Sequence, residues 1–367
     1  MYIKEVKLVN FRNYESVKTE FFSGVNLITG QNGQGKTNLV ESLVVASHTK
    51  SPRTSKQKDL VMWNKEKSFV ELIVNRVFGD IKIAYEIGQD ENKKFFINGA
   101  PVSKLSEVFG NLVVVYFSPT EIKIVTGGPQ ERRDFMDTDI SELSGQYYNL
   151  VQRYNKVLDQ RNKLLKNKFD RKMVLDQIDV FSEQLASLAA PIIKTRKSFI
   201  NKIAPLANAA MQELSAGVEN LDIKYVGISG ETTQEIKENL LKAYECNLEK
   251  DLELGYTLVG PHRDDIKLLI NGVEAKDFAS QGQQRSIVLA LKMAEMQIFE
   301  KELNEKPVLI LDDVFSELDN RRQKLLYKLM ENTQVIVTGT AVKFKPEGDY
   351  IIKKIKNASI KENRVTK

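Results

Sequence analysis

What the chain lacks narrows it first. Its 367 residues include one cysteine, Cys246, and two histidines, His48 and His262. A lone cysteine closes no internal disulfide and builds no cysteine-based metal cluster, and two histidines do not make a histidine-rich metal site. Apolar runs are short, and none approaches the roughly 20 residues that a bilayer-spanning helix requires. The opening stretch, MYIKEVKLVNF, carries charges inside its apolar run, which is not the pattern of a secretory leader. Sustained a/d heptads, tandem repeats and low-complexity tracts are missing too. The expectation is a cytoplasmic protein with no membrane partner. Charge of one sign is also scarce: 54 basic against 49 acidic residues leave a net +5, which allows a polyanion partner without demanding one. The apolar fraction of 42% suffices for a real core, in one large domain or two modest ones.

What is present centres on Asn26 to Glu41. Val25, Leu27 and Ile28 read as the end of a buried strand, Gly30 to Thr37 fits G-x-x-x-x-G-K-[ST], and Asn38 to Ala46 continues as a helix with Leu39, Leu43 and Val44 on one face. Strand, glycine-rich loop, helix is the context a phosphate-binding loop needs. Gly30, Gly33 and Gly35 let backbone N–H groups around Gln31, Asn32 and Gln34 turn inward, and the helix N-terminus adds partial positive charge. Lys36 is placed for the β- and γ-phosphates of ATP, and Thr37 for Mg2+.

Around this loop the chain changes texture. Residues 2–29 read as short strands interrupted at Phe11-Arg12-Asn13-Tyr14. The polar loop Ser51 to Lys58 follows the helix, and its Arg53 is a candidate for nucleotide or DNA phosphate beside the plainer reading of a solvated connector. Residues 68–103 read as an antiparallel meander, with Ile81, Ile83, Tyr85 and Ile87 in strict alternation, a turn at Gly79-Asp80 and a hairpin at Asn98-Gly99. Leu112 to Phe117 reads as a buried strand. From Pro119 to about Gly217 the pattern is helical, with Pro129, Pro191 and Pro205 marking starts or kinks. Within it, Arg153 to Lys172 is dense in base: Arg153, Lys156, Arg161, Lys163, Lys166, Lys168, Arg171 and Lys172. That density suits a solvated helix face or a DNA-backbone contact. Asn271-Gly272 is another hairpin signal, and the basic tail from Lys343 is expected to be loosely ordered.

Two further pieces join the loop. Val308 to Leu311 is a buried strand delivering Asp312 and Asp313 to a sheet edge. Asp312 suits the Mg2+ that Thr37 also touches, and Asp313 suits orienting the attacking water. A strand followed by acids is common by itself; with a phosphate loop it gains meaning. Ser280-Gln281-Gly282-Gln283-Gln284-Arg285 opens a helix that Ser280 can cap. Its place ahead of the Asp312 strand matches the signature of ABC-type ATPases.

These stretches in this order resemble the RecF family over essentially the full length: Asn10 to Tyr14; Gly30 to Thr37; Ser51 to Thr54 with Lys58-Asp59-Leu60; Ser118-Pro119; Gly127 to Arg133; Gly260 to Asp265; Ser280 to Arg285; and Leu311 to Asp319. The resemblance implies an α/β fold, an ABC-type ATPase head of mixed sheet with an antiparallel meander (residues 1–117 and 255–367) carrying a mainly helical arm (118–254). It implies weak, DNA-stimulated ATP hydrolysis used as a switch, an ATP-dependent homodimer, and binding to double- and single-stranded DNA and their junctions. It also implies RecR as partner, with RecO and RecA in the same gap-repair pathway. Ser280, Gly282 and Gln283 of one copy would then face the nucleotide held by the other, Ser316 to Asp319 would cross the dimer seam, and Arg12, with Asn38 after the loop, would lie near the nucleotide.

Two departures from the wider ABC pattern stand out. Asp313 takes the place of the usual glutamate, and Thr338-Gly339-Thr340 stands where many have a switch histidine. No glutamine marks a Q-loop; Ser118 is the candidate for that place. An SMC-type clamp is the competing reading, but about 270 residues separate Thr37 from Val308, too few for its long coiled coil. A transporter subunit would carry the Q-loop and switch histidine, and a nuclease would need a further acidic cluster. His262 and Arg263 read most simply as support for the signature helix.

Overall fold

Two sheets enclose the helix that follows the glycine loop. The computed structural model describes all residues except 90–92, 168–170, 316–317, 341–345, 347 and 366–367, and the chain groups into two units, Met1–Glu121 with Val288–Lys367, and Ile122–Ile287.

In chain order the first unit opens with β1 (Tyr2–Phe11), β2 (Tyr14–Glu20), β3 (Val25–Thr29) and α1 (Lys36–His48), followed by β4 (Lys67–Arg76), β5 (Gly79–Gly88), β6 (Lys93–Ile97), β7 (Ala100–Pro101) and β8 (Val114–Phe117). The antiparallel sheet runs β2-β1-β4-β5-β6-β7. Its alternation is the one the sequence shows: Val70, Leu72 and Val74 lie opposite Tyr85, Ile83 and Ile81, all buried, while Lys82 and Glu71 pair on the other face at 2.8 Å. The turn expected at Gly79-Asp80 falls instead on Val77-Phe78, because Arg76 pairs with Gly79. Gly79 leaves the turn at φ +118°, and both apolar turn residues are exposed. Asn98-Gly99 forms its hairpin with both residues at positive φ, as a two-residue loop matched to strand twist requires.

The second unit holds α2 (Lys123–Thr126), α3 (Pro129–Leu143), α4 (Gly145–Leu165), α5 (Arg171–Ser215), β9 (Leu221–Val226), α6 (Thr233–Leu254), β10 (Asp265–Ile270), β11 (Val273–Glu274) and α7 (Ala275–Phe278). Pro129 is at the first turn of α3, but Pro191 and Pro205 lie inside the 45-residue α5 and do not end it. Buried Val174, Ile178, Leu185, Ala189, Ile193, Arg196, Ile200, Ile203, Ala207, Met211 and Leu214 keep helical spacing along its length, and such packing outweighs a local propensity cost. The return to the head expected at residue 255 comes later. Residues 255–287 belong to the second unit, because β10 pairs with β9 and its Asp265 is gripped by Arg132 of α3 at 2.7 Å. The base-dense segment does not form one helix face either: it is split between α4 and α5, and its Lys168 and Asp170 lie outside the described residues. Arg161 within it is fully buried on Asp251 and Thr257, both at 2.7 Å.

After α8 (Gln281–Leu303) come β12 (Val308–Asp312), α9 (Asn320–Leu329), β13 (Val335–Gly339), β14 (Tyr350–Lys356) and β15 (Ser359–Val365). With β3 and β8 they make the second sheet, ordered β15-β14-β3-β13-β12-β8, parallel except for β15. The tail is therefore ordered where it is described: Tyr350, Ile351 and Ile355 are buried, and Lys353, also buried, pairs with Glu362 and donates to Thr19 at 3.0 Å. Helix α1 is buried nearly all round, as a helix between two sheets must be, and Leu39, Val40, Leu43 and Val44 share one core with both sheets. His48 at its end donates its Nε2–H to the Val114 carbonyl at 3.1 Å, and burial lowers its pKa to about 3. Among the described residues no helix is long and apolar enough to cross a membrane.

Candidate functional site

The glycine loop hangs between strand ends. Gly30 leaves β3 at φ +156°, and a Cβ there would sit 2.5 Å from the carbonyl oxygen of Ile355 on the neighbouring β14, so only glycine fits. The turn after β14 holds the loop from one side: the Asn357 N–H donates to Gln34 Oε1 at 2.6 Å and the Ala358 N–H to the Gln34 carbonyl at 3.2 Å. From the other side the Tyr14 hydroxyl donates to the Gly35 carbonyl at 3.0 Å and Asn13 to the Gln34 carbonyl at 3.4 Å. Gly35 starts α1 in a left-handed conformation with no side-chain cap. Gln31, Asn32 and Gly33 are exposed, whereas Lys36 is buried, its ammonium donating to the carbonyls of Gly30 at 2.8 Å and Gln31 at 3.0 Å.

Thr37, one residue on, reaches the acid at the end of β12: its hydroxyl donates to Asp312 Oδ1 at 3.2 Å. The same oxygen accepts from the Thr338 hydroxyl at 2.5 Å, and Oδ2 accepts from the Tyr116 hydroxyl at 3.1 Å. These donors come from α1, β13 and β8, and parallel register sets Asp312 beside Thr338. Burial pushes the Asp312 carboxyl above the usual carboxylate range, and the three hydroxyls partly offset it. Asp313 follows at φ +59°, its N–H donating to the Thr338 hydroxyl at 3.1 Å. Thr338 thus fixes both acids, one by side chain and one by backbone. Neither this role nor that of Tyr116, which sits in the apolar run of β8, was visible in the sequence.

Arg12 lies beside this loop, held by an acid. Its Nη2 and Nε donate to Glu41 at 2.6 and 2.9 Å, and Nη1 donates to the Asp59 carbonyl at 2.7 Å. Glu41 also accepts from Ser51 at 2.6 Å and Arg53 at 3.1 Å, and Asn38 joins Arg53 to Asn13, both at 2.8 Å. Sequence reasoning passed over Glu41. The available signal was a glutamate inside the apolar run of α1, which needs cationic partners to be buried.

Ser280, Gly282 and Gln283 belong to the second unit and open α8. The Ser280 hydroxyl accepts the Gln283 N–H at 3.2 Å, Gln283 Oε1 accepts the Ser280 N–H at 2.9 Å, and Gln283 Nε2 reaches Glu219 at 2.8 Å. This is a capping box. Ser118 meets Thr120 at 2.7 Å. His262 sits between the Tyr154 hydroxyl (2.6 Å) and the Thr257 carbonyl (2.9 Å), burial lowering its pKa to about 4, and Arg263 stacks over Tyr256. Both are engaged in holding the loop. Ser316 and Glu317 lie outside the described residues, while Asp319 caps α9 through the N–H groups of Arg321 and Arg322 at 3.1 and 2.9 Å.

A glycine loop entering a helix, a parallel sheet with an acid-ended strand two places away, and an antiparallel sheet across the helix define the head of the ABC- and SMC-type ATPases. The chain matches the family described as RecF/RecN/SMC N terminal domain over residues 2–361. It is 40% identical over 355 residues to the DNA replication and repair protein RecF of Alkaliphilus oremlandii (strain OhILAs), covering 95% of this chain and 96% of the relative. A solved structure of the recombination mediator protein RecF with ATP, in the RecFOR pathway, superposes with a TM-score of 0.93 at 37% identity, over 99% of this chain and 97% of that one. An Smc head bound to the C-winged helix domain of ScpA shares the fold at 15% identity and TM-score 0.57, over 100% and 98% of the two chains. The chain belongs to the RecF family.

Proposed function

We propose that this chain is an ATP-switched DNA-binding protein of recombinational and replication-gap repair, working in the cytoplasm. The observation that carries the reading is the convergence of the Thr37 and Thr338 hydroxyls on Asp312 Oδ1, at 3.2 and 2.5 Å, beside an uncapped helix N-terminus. The residues fit a nucleoside triphosphate with its metal. The backbone N–H groups of Gly30 to Gly35, those of Gln31, Asn32 and Gln34 included, and the first N–H groups of α1, including that of Asn38, would cradle phosphate oxygens. Lys36 would exchange its two loop carbonyls for the β- and γ-phosphates. Thr37 and Asp312 would hold Mg2+, which supplies charge neutralisation to the phosphates. Asp313, next to the metal ligand, would orient the attacking water, and its short reach suits slow turnover. Arg12 would lie at the edge of the nucleotide, its guanidinium positioned by Glu41.

Ser280, Gly282 and Gln283 of a second copy would close the site, so that ATP joins two chains and hydrolysis parts them. DNA, both duplex and single-stranded, would bind mainly through phosphates, with weak sequence preference and steep salt dependence. The solved relative is described as a mediator of the RecFOR pathway, and RecR is the partner expected here, with RecO and RecA acting on the same gaps. Sedimentation of the chain with ATP and a gapped duplex tests the reading in one measurement. A heavier, nucleotide-dependent species on DNA is expected; a chain that stays monomeric and unbound with ATP rules it out.

A further inference from the structure

The loop between α1 and β4 is rich in base and ends on an exposed aromatic ring. From Lys50 to Lys67 the chain has six basic and two acidic residues, a surplus of four where the whole chain's surplus is five. Lys56 and Lys58 are exposed and, among the described residues, stand within ion-pair distance of no carboxylate. At the end of the same loop is Trp63, the chain's only tryptophan, 91% exposed. A large aromatic surface left in water costs free energy, and basic side chains interleaved with an exposed aromatic ring are what a nucleic-acid strand with unpaired bases takes: phosphates on ammonium groups, a base on the indole face.

The loop is tied to the phosphate loop through one short turn. The Arg12 N–H donates to the Leu60 carbonyl at 2.9 Å and the Met62 N–H to the Asn10 carbonyl at 2.8 Å, with Phe11 and Val61 paired between them. The next residues of that turn, Asn13 and Tyr14, are those that hold Gln34 and Gly35. Arg53 closes a second path to the phosphate loop through Asn38 and Asn13. Residues 10–14 therefore clamp the phosphate loop on one side and the base of the Trp63 segment on the other.

We propose that Trp63, with Lys56 and Lys58, forms a stacking site for single-stranded DNA whose position is set by the phosphate loop. The inference rests on the DNA-binding role proposed above and names where unpaired bases are read. An acidic protein docking on the same surface is the competing occupant; it would need no flat, fully open ring, and the test separates the two.

Because Trp63 is the sole tryptophan, its emission reports on this site alone. The full chain with ATP and Mg2+ is titrated with oligo(dT) of about 20 nucleotides, a blunt duplex and heparin, while anisotropy of labelled DNA measures binding independently. Oligo(dT) is expected to quench Trp63 about twofold, with heparin and blunt duplex leaving the emission nearly unchanged. Trp63→Ala is expected to weaken oligo(dT) binding roughly tenfold and Trp63→Phe by less than about threefold. Binding by anisotropy with silent Trp63 emission, or with Trp63→Ala equal to the parent, overturns the site and leaves the DNA-binding role standing. Quenching by heparin as strong as by oligo(dT) also overturns it. Absence of any anisotropy change removes both the role and the site.

Discussion

Two helix N-termini in this chain are expected to face nucleotide, and they are built in opposite ways. Helix α1 begins at Gly35 with no side-chain cap, and the only cation in its loop, Lys36, is held by loop carbonyls that phosphate oxygens can outbid. Helix α8 begins at Ser280 with its first N–H groups partly closed by the chain itself, Ser280 and Gln283 satisfying each other. An uncapped N-terminus leaves orphan donors for a ligand, whereas a capping box satisfies them internally. The first end leaves open the donors that phosphate oxygens would take. The second is a finished helix end that presents a hydroxyl, and it suits a nucleotide already held elsewhere.

Lys36→Ala should break this contrast most severely. Losing the ammonium removes a charge-assisted contact to phosphate and leaves the Gly30 and Gln31 carbonyls without their donor. ATP affinity by calorimetry is expected to fall by about 100-fold or more, and nucleotide-dependent dimers should vanish with it. Affinity within threefold of the parent would mean that α1 is not the receptor. Ser280→Arg should separate the two ends. ATP affinity is expected to stay within about twofold, since the receptor is intact, while the ATP-dependent dimer is lost in sedimentation. A dimer that persists removes the trans role of α8; a loss of ATP affinity alongside the dimer shows that the two ends are not independent.

The same contrast explains what the sequence made legible. The loop is readable because its glycines answer a local demand, as Gly30 does against Ile355, and Asp312 because a buried strand ending in acid is a local pattern. The order of short motifs was enough to place the family. What was hidden depends on partners far along the chain. Tyr116 and Thr338 lie 196 and 26 positions from Asp312 and read as ordinary strand residues. Arg161 reads as surface charge until Asp251 arrives 90 positions later. The tail misleads for the same reason: Lys353 signals solvent, yet Glu362 on β15 and Thr19 on β2 make its burial tolerable. The domain boundary was missed because β10 pairs with β9, a choice of strand partner that periodicity does not carry.

The smallest effect probes the closure of α8 itself. Gln283→Ala removes the side chain that accepts the Ser280 N–H and the contact to Glu219, while the Ser280 hydroxyl can still accept from residue 283. Loss of half a capping box costs about 1 kcal/mol, which for a unit of this size lowers the melting temperature by roughly 2–4 °C. Gln283→Glu keeps the box, since glutamate serves there equally, but sets a second carboxylate against Glu219, and like charges so close are repulsive. Its melting temperature should fall as well, and adding Glu219→Gln should restore it. That rescue identifies the Glu219 contact as the electrostatic part of the loss and the box as the remainder. If Gln283→Ala melts with the parent, the start of α8 is not closed by its own side chains, and the difference between the two helix ends reduces to the lysine that only α1 possesses.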